Sequence, residues 1–235
     1  MPALRTGLRS AVILLSGGLD SAVALYLARE QDYRLHALSF DYGQRHCREL
    51  KSAEAVADEA GAIWRAVKIS LPWGGSALTD EKVAVPTPRP AEKMRQEIPV
   101  TYVPARNTIF LSFAASWAEV VGAGAIFIGA NSIDFSGYPD CRPEYFEHFH
   151  ELIRAGTRAG TLGRAPEIAA PLVNMTKADI VREGQRLGVP FEITWSCYRG
   201  GEAPCENCEA CALRARGFEE AGIADPLVTR SVASR

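Results

Sequence analysis

Two stretches of this 235-residue chain carry side chains that could do chemistry. The first is Leu14-Leu15-Ser16-Gly17-Gly18-Leu19-Asp20-Ser21-Ala22, a glycine loop between an apolar run and a helical pattern. Such a loop holds anions. Gly17 and Gly18 let the backbone come close, a helix N-terminus offers free N–H groups and the positive dipole end, and Ser16 and Ser21 add hydroxyls. It has no lysine of the G-x-x-x-x-G-K-[ST] kind that neutralises β and γ phosphates. Asp20 repels phosphate unless a cation bridges the two, so it is expected to position Mg²⁺ or to cap the helix. Taken alone, two glycines are more often a plain turn between strand and helix.

The second stretch gathers Cys197, Cys205, Cys208 and Cys211 within fifteen residues, while Cys47 and Cys141 stand apart. A C-x-x-C turn aims two thiolates at one ion at about 2.3 Å, and four thiolates complete a tetrahedral Zn²⁺ with no open position. The expected role is structural. An iron–sulfur cluster also takes four cysteines and is the rival reading, with colour to tell the two apart.

Positioning these groups falls to alternating elements. Apolar runs at 11–15, 35–40, 63–69 and 125–129 read as buried strands. Helical patterns follow at 21–30, at 47–60 (closed by Gly61), at 107–124 (opened by Asn107 or Thr108) and at 177–187 (capped by Thr176, closed by Gly188 and Pro190). Cys211 is expected on the first turn of a further helix ending near Gly222. Strands and helices alternating at this period predict an α/β fold with a doubly wound, mostly parallel sheet. The expected division is an N-terminal arm 1–10, a nucleotide-binding domain 11–189, a small metal-binding C-terminal subdomain 190–226 and a tail 227–235. Between 71 and 100 the pattern fails around Pro72, Pro86, Pro88, Pro90 and Pro99. This segment is expected to be a mobile flap over the sheet's carboxyl edge, or else an insertion without a role.

The loop in its strand–helix setting resembles the S-G-G-x-D-S signature of the PP-loop ATP-pyrophosphatase superfamily, whose fold is adenine nucleotide α-hydrolase-like. The resemblance implies that residues 14–22 grip the β,γ-pyrophosphate of ATP, which is split between the α and β phosphates as AMP passes to the substrate. It sharpens at "LSFDYGQRH" (38–46), "TYVPARN" (101–107), "IGANSIDFSGYPDCRPE" (128–144), "NMTKADIV" (174–181) and "TWSCY" (194–198) before the cysteines. Together these resemble the 7-cyano-7-deazaguanine synthase family of queuosine-precursor biosynthesis. That resemblance implies a carbon–nitrogen ligase turning a 7-carboxy-7-deazaguanine and ammonia into the nitrile through adenylated acid and amide. It covers residues 11–226. Ala105 stands where glycine or a bulkier residue is expected.

The residues agree with a flat, acidic substrate. A guanine-like edge presents donors to Asp134 or Asp140, Phe135 and Tyr138 could stack on a ring, and Arg142 could clamp a carboxylate. Without the resemblance, a polar loop turned by Gly137 and Pro139 is the favoured reading. Cys141 has no evident activating base and is expected only to pack. Arg106 and Asn107 are expected to meet the ATP phosphates, or Asn107 to cap. Lys177 is expected to balance α-phosphate charge in the transition state. Gln44, Arg45 and His46 are expected to border the crevice, with Arg45 contributing to the substrate. His148 and His150, two apart on a helix, are expected at the surface.

Composition narrows the rest. At 47% hydrophobic and 23% charged residues with a net charge of −2, the chain has no basic stripe for nucleic acid. No run approaches a membrane span or a signal peptide, so a cytoplasmic, small-molecule enzyme is expected. The sequence leaves a homodimer open. Two alternatives stay open within the superfamily: a tRNA-thiolating enzyme, and a relative attaching a deazaguanine to a protein partner. A non-enzymatic zinc module fits poorly with an intact Ser-Gly-Gly-Leu-Asp-Ser.

Overall fold

The computed structural model of the chain describes residues 9–88, 97–133 and 137–228. Five strands, β1 Ser10–Leu14, β2 Arg34–Asp41, β3 Ile63–Lys68, β4 Ala125–Ile128 and β5 Glu167–Ala169, form one parallel sheet ordered β3-β2-β1-β4-β5. Central strand β1 is apolar without alternation because both its faces are covered. Ala11 and Ile13 point into a core shared with α1 (Leu19–Glu30) and α2 (Arg48–Ala60), and Val12 and Leu14 into a second core with α3 (Arg106–Val121) and α4 (Pro143–Gly156). This is the expected doubly wound α/β arrangement.

The order reverses at β1, with β2 on one side and β4 on the other. Connections that wind outwards in opposite directions leave a crevice above the carboxyl ends of those two strands. The glycine loop follows β1, and Gly129 follows β4, so both border that crevice.

Past a single turn, α5 (Arg158–Thr161), the chain forms β5 and then α6 (Lys177–Leu187) and α7 (Glu209–Ala221). Thr176 caps α6 in a reciprocal pair with Asp179, and Gly61, Gly188 and Gly222 end α2, α6 and α7 with left-handed φ, each where expected. The start of α3 differs from expectation. It begins at Arg106 behind Ala105, and neither Asn107 nor Thr108 caps it. Asp140, from after β4, takes that part by accepting the Asn107 backbone N–H at 3.1 Å. Ala105 itself sits at φ 54°, a left-handed conformation that favours glycine, which accounts for the glycine expected there.

Of the expected flap, residues 71–88 and 97–100 are described, and 89–96 lie outside the described residues, as do 1–8 and 229–235. Its described part is fastened to the body: Ser76 and Ala77 are fully buried, and the Leu78 carbonyl accepts the Arg45 N–H at 3.1 Å. Beyond residue 190, Phe191 and Phe218 join the first core, while Trp195, Cys197, Cys208 and Cys211 form a smaller one with Val85 and Leu227. Among the described residues no helix is long and apolar enough to cross a membrane.

Candidate active site

The crevice is a cavity of about 280 Å³ whose wall includes Ser16, Gly18, Asp20 and Ser21 of the loop, Arg106 and Asn107 of α3, and Lys177 of α6. The loop is closed on itself. Ser16 N–H donates to Ser21 Oγ at 3.2 Å, Gly18 N–H donates to Ser16 Oγ at 3.3 Å, and Ser21 Oγ donates to the Gly18 carbonyl at 3.0 Å. Gly17 adopts φ 83°, and a Cβ there would run into the Glu49 carbonyl oxygen and lie 2.6 Å from the Ala53 nitrogen. The loop therefore lies hard against the first turns of α2. Its far side is held by Trp195, whose N–H donates to the Gly17 carbonyl at 2.8 Å. Leu14, Leu15 and Leu19 form the cavity's apolar floor, but Ala22 is in the core and does not reach it.

Asp20 corrects one expectation. The residue preceding α1 is Gly18, without a side-chain cap, so Asp20 caps nothing. Its two carboxylate oxygens accept from Lys177 Nζ at 2.8 and 2.7 Å. Lys177 is no solvated lysine at a helix start, because the residue is 5% exposed. Its stem runs under Gly217 of α7, where a Cβ would strike Lys177 Cγ. A buried ammonium needs a partner, and Asp20 is one.

Across the cavity, Arg106 Nη1 donates to the Tyr42 hydroxyl at 3.4 Å, with the guanidinium 5.9 Å from the Tyr42 ring and 6.0 Å from that of Phe110. Burial works against the charge of Arg106, but Tyr42, Tyr138 and Asp140 outweigh it and keep the group protonated. Burial also pushes Tyr42 up to about 12. Phe40 stacks on Phe110 with centroids 3.9 Å apart and planes at 3°. Gln44 Nε2 donates to Glu49 Oε1 at 3.2 Å, and burial raises the Glu49 carboxyl to about 7 against the pull of Arg106 and Gln44.

The substrate loop is rearranged relative to expectation. Tyr138 lines the cavity, its hydroxyl 2.7 Å from Thr101 Oγ1. Asp140 is buried beneath the start of α3, bonded to the Asn107 N–H, and is not on the cavity wall. Asn107 is spent on the same contact, donating from Nδ2 to the Asp140 carbonyl at 2.9 Å and to Cys141 Sγ at 3.4 Å. Arg142 is exposed, precedes α4, and is also absent from the wall. Asp134 and Phe135 lie outside the described residues. Burial raises the Cys141 thiol to about 12, which keeps it protonated and suits its expected passive role.

Gln44, Arg45 and His46 border the cavity as expected. Arg45, however, spends its guanidinium on the 71–100 segment: Nε donates to the Ala77 carbonyl at 2.5 Å, and Nη2 to the carbonyls of Asp80 (2.8 Å) and Val83. His148 is exposed, whereas His150 is half-buried. Glu49, Tyr42, Phe40, Phe110, Gly129, Trp195 and Tyr198 line the cavity without having been singled out from sequence. Phe40 and Tyr42 flank the carboxyl end of β2, a position that could have pointed to them.

The four cysteines converge. Their sulfurs lie within 4.8 Å of one another, close to the roughly 3.8 Å edge of a tetrahedron with 2.3 Å metal–sulfur bonds. Backbone N–H groups of Arg199 and Cys205 donate to Cys197 Sγ at 3.4 Å, as outer partners of a ligating thiolate do. Cys211 is in the first turn of α7, as expected. The donor set fits a single closed metal ion.

The 7-cyano-7-deazaguanine synthase of Trichodesmium erythraeum is 55% identical over 220 residues, covering 93% of this chain and 99% of its own. The enzyme of that name from Thermoplasma acidophilum is 55% identical over 93% of this chain and 91% of its own, and that of Methylococcus capsulatus 52% over 95% and 100%. The model of the queuosine biosynthesis protein QueC family matches residues 10–222. This chain belongs to the QueC family of queuosine biosynthesis proteins.

Proposed function

We propose that the chain is a carbon–nitrogen ligase that makes 7-cyano-7-deazaguanine from 7-carboxy-7-deazaguanine, ATP and ammonia. The observation that carries this reading is the meeting of the Ser16–Ser21 loop, the Asp20–Lys177 pair and Arg106 in one cavity at the sheet's switch point. A carboxylate oxygen leaves poorly. Attack of the acid on the α-phosphorus expels pyrophosphate, and the acyl adenylate then has AMP as leaving group. Ammonia displaces AMP to give the amide, and a second adenylation and loss of AMP give the nitrile.

In this scheme the loop's amides and hydroxyls hold the pyrophosphate, and Lys177 and Arg106 balance charge on the α-phosphate. Tyr138 and the Phe40–Phe110 stack offer flat surfaces for the base. Asp20, the loop's one carboxylate, would help hold a Mg²⁺ brought with the nucleotide, which would supply positive charge for the pyrophosphate leaving group. Zn²⁺ bound by Cys197, Cys205, Cys208 and Cys211 is structural, and steadies the segment through which Trp195 holds Gly17. Reduced thiols suit the cytoplasm. Phe113 and Val120, 40% and 81% exposed on one side of α3, suit a homodimer.

The test is product analysis with the 7-carboxy compound, ATP and ammonium. Nitrile accompanied by AMP and pyrophosphate is expected. ADP and phosphate as the only nucleotide products would overturn the reading.

A further inference from the structure

Resting on the reaction just proposed, we infer that Glu49 is the acid–base group of this cavity and takes the proton that nitrogen loses in both carbon–nitrogen steps. When ammonia attacks the acyl adenylate, a C–N bond forms, the C–O bond to AMP breaks, and the nitrogen, now cationic, must shed a proton to become the amide. In the second half the adenylated amide, an imidate, loses its N–H proton as its C–O bond to AMP breaks and the nitrile's third C–N bond forms. The nitrogen thus gives up one proton in the first half and two in the second, one as the amide oxygen takes AMP to form the imidate and one in this elimination, and one well-placed base serves each release.

Glu49 is placed for this by three contacts. Its carbonyl oxygen is the atom that forbids a side chain at Gly17, so its residue adjoins the loop that holds ATP's phosphates. Its carboxylate is on the cavity wall and is held by Gln44, which is itself pinned twice: Oε1 accepts the Tyr42 N–H at 2.8 Å and Nε2 also donates to the Phe40 carbonyl at 3.1 Å. Arg106 and Tyr42 face it from α3 and the end of β2. A carboxyl that burial raises to about 7 is poised to accept and return protons at neutral pH. The alternatives on the wall suit the task less well: Asp20 is bonded to Lys177 through both oxygens, and burial raises Tyr42 and Cys141 to about 12. Arg45 is tied to the 77–83 carbonyls, Tyr138 to Thr101, and burial raises Tyr198. An imidazole, His46, also lines the cavity and needs a control.

The experiment compares wild type, Glu49→Gln and His46→Asn from pH 5.5 to 9, with nitrile rates divided by free ammonia. It also follows acid-dependent ATP–pyrophosphate exchange, which needs no nitrogen. In Glu49→Gln, exchange is expected within a few-fold of wild type, nitrile formation falls roughly 10²- to 10³-fold, and the rise in rate with pH near 7 is lost. In His46→Asn that rise persists. Hydroxylamine, which is neutral near pH 7, should restore acyl transfer in Glu49→Gln as the hydroxamate. Nitrile formation by Glu49→Gln within threefold of wild type overturns the role. So does loss of exchange together with nitrile, which would make Glu49 a substrate-binding group. Wild type that yields no nitrile fails the reaction itself, a distinct outcome that removes the role with it.

Discussion

Lys177 and Asp20, 157 positions apart in the chain, are joined through both carboxylate oxygens at 2.8 and 2.7 Å. The pair explains how an acid can stand inside an anion-binding loop. Lys177 is 6% exposed at its side chain and Asp20 22%, so the ammonium is deep and the carboxylate is at the cavity edge. The two cancel at rest. In the proposed reaction, the ammonium can turn part of its field to the phosphates without leaving its partner, because it has three protons to donate.

Lys177→Met removes that cation and leaves Asp20 partly buried and unpaired. Because Asp20 is partly open to water, the cost should be about 1–3 kcal/mol, below the 3–5 of a wholly buried pair. The rate of adenylation should fall about 10²- to 10³-fold. Adding Asp20→Asn should recover stability but not activity in urea titrations and exchange assays. Gly217→Ala should mimic part of the activity loss from a distance, since its methyl displaces the Lys177 stem. Normal exchange rates in Gly217→Ala would show the stem to be adaptable.

The two loop glycines should separate fold from ligand. Gly17→Ala forces a left-handed residue against α2 backbone, and neither the Glu49 carbonyl nor the Ala53 amide can swing aside. Destabilisation of at least about 1–2 kcal/mol is expected from the conformation alone. Gly18 has φ −80°, and a Cβ there meets nothing closer than Ser16 Oγ at 3.4 Å. Gly18→Ala should melt like wild type and still bind ATP more weakly, because the methyl stands where phosphate approaches. Equal ATP affinity would place the phosphates elsewhere.

The fold was legible because a buried parallel strand is apolar on both faces and its helices carry their own stops, as at Gly61 and Gly188. The glycine loop and the cysteine cluster were legible because each is local: neighbours in sequence make the feature. Glu49 was hidden because α2 presents it to the cavity only once Gly17 has packed against that helix. Asp140 misled for a related reason. It is polar and next to aromatic residues, and nothing local reveals that an N–H 33 residues earlier claims it. Lys177 stood out in the sequence as a candidate lysine, but its partner and its burial under Gly217 depend on the α6–α7 packing.

Asp140→Ala should therefore behave as loss of a helix cap, costing about 0.5–2 kcal/mol. Its effect on substrate choice should be small. The ratio of kcat/KM for the 7-carboxy acid and for an analogue without the 2-amino group should stay within about twofold of wild type. A collapse of that ratio with stability intact would return Asp140 to the base-reading role.

Cys205→Ser should lower bound metal and thermal stability together, since binding energy at a closed site of this kind is folding energy. Metal analysis of protein prepared without chelator is expected to find one zinc per chain, and a colourless protein. Iron with absorbance near 400 nm would instead mark a cluster.

Glu49 should cost the fold stability in return for its place on the cavity wall. Burial raises its carboxyl from the usual 4.5 to about 7, so the folded state prefers the protonated form. Below about 4.5 both folded and unfolded chains hold the proton and no penalty arises. As the pH climbs to 7 the unfolded chain ionises first, and the penalty grows to its full size above 7. Each pKa unit is worth about 1.4 kcal/mol, and with the cavity's own water screening the charge the total is on the order of 1–3 kcal/mol. Glu49→Gln removes it and keeps an oxygen for Gln44 to bond. Urea unfolding at pH 8 should find the variant more stable than wild type by about that amount, and at pH 5 nearly equal to it. Burial raises Asp140 as well, with the same sign, but Asp140 is present in both proteins and cancels. A stability difference that does not change between the two pH values would mean that Glu49 ionises as freely folded as unfolded, and a base poised near neutrality would lose its physical footing.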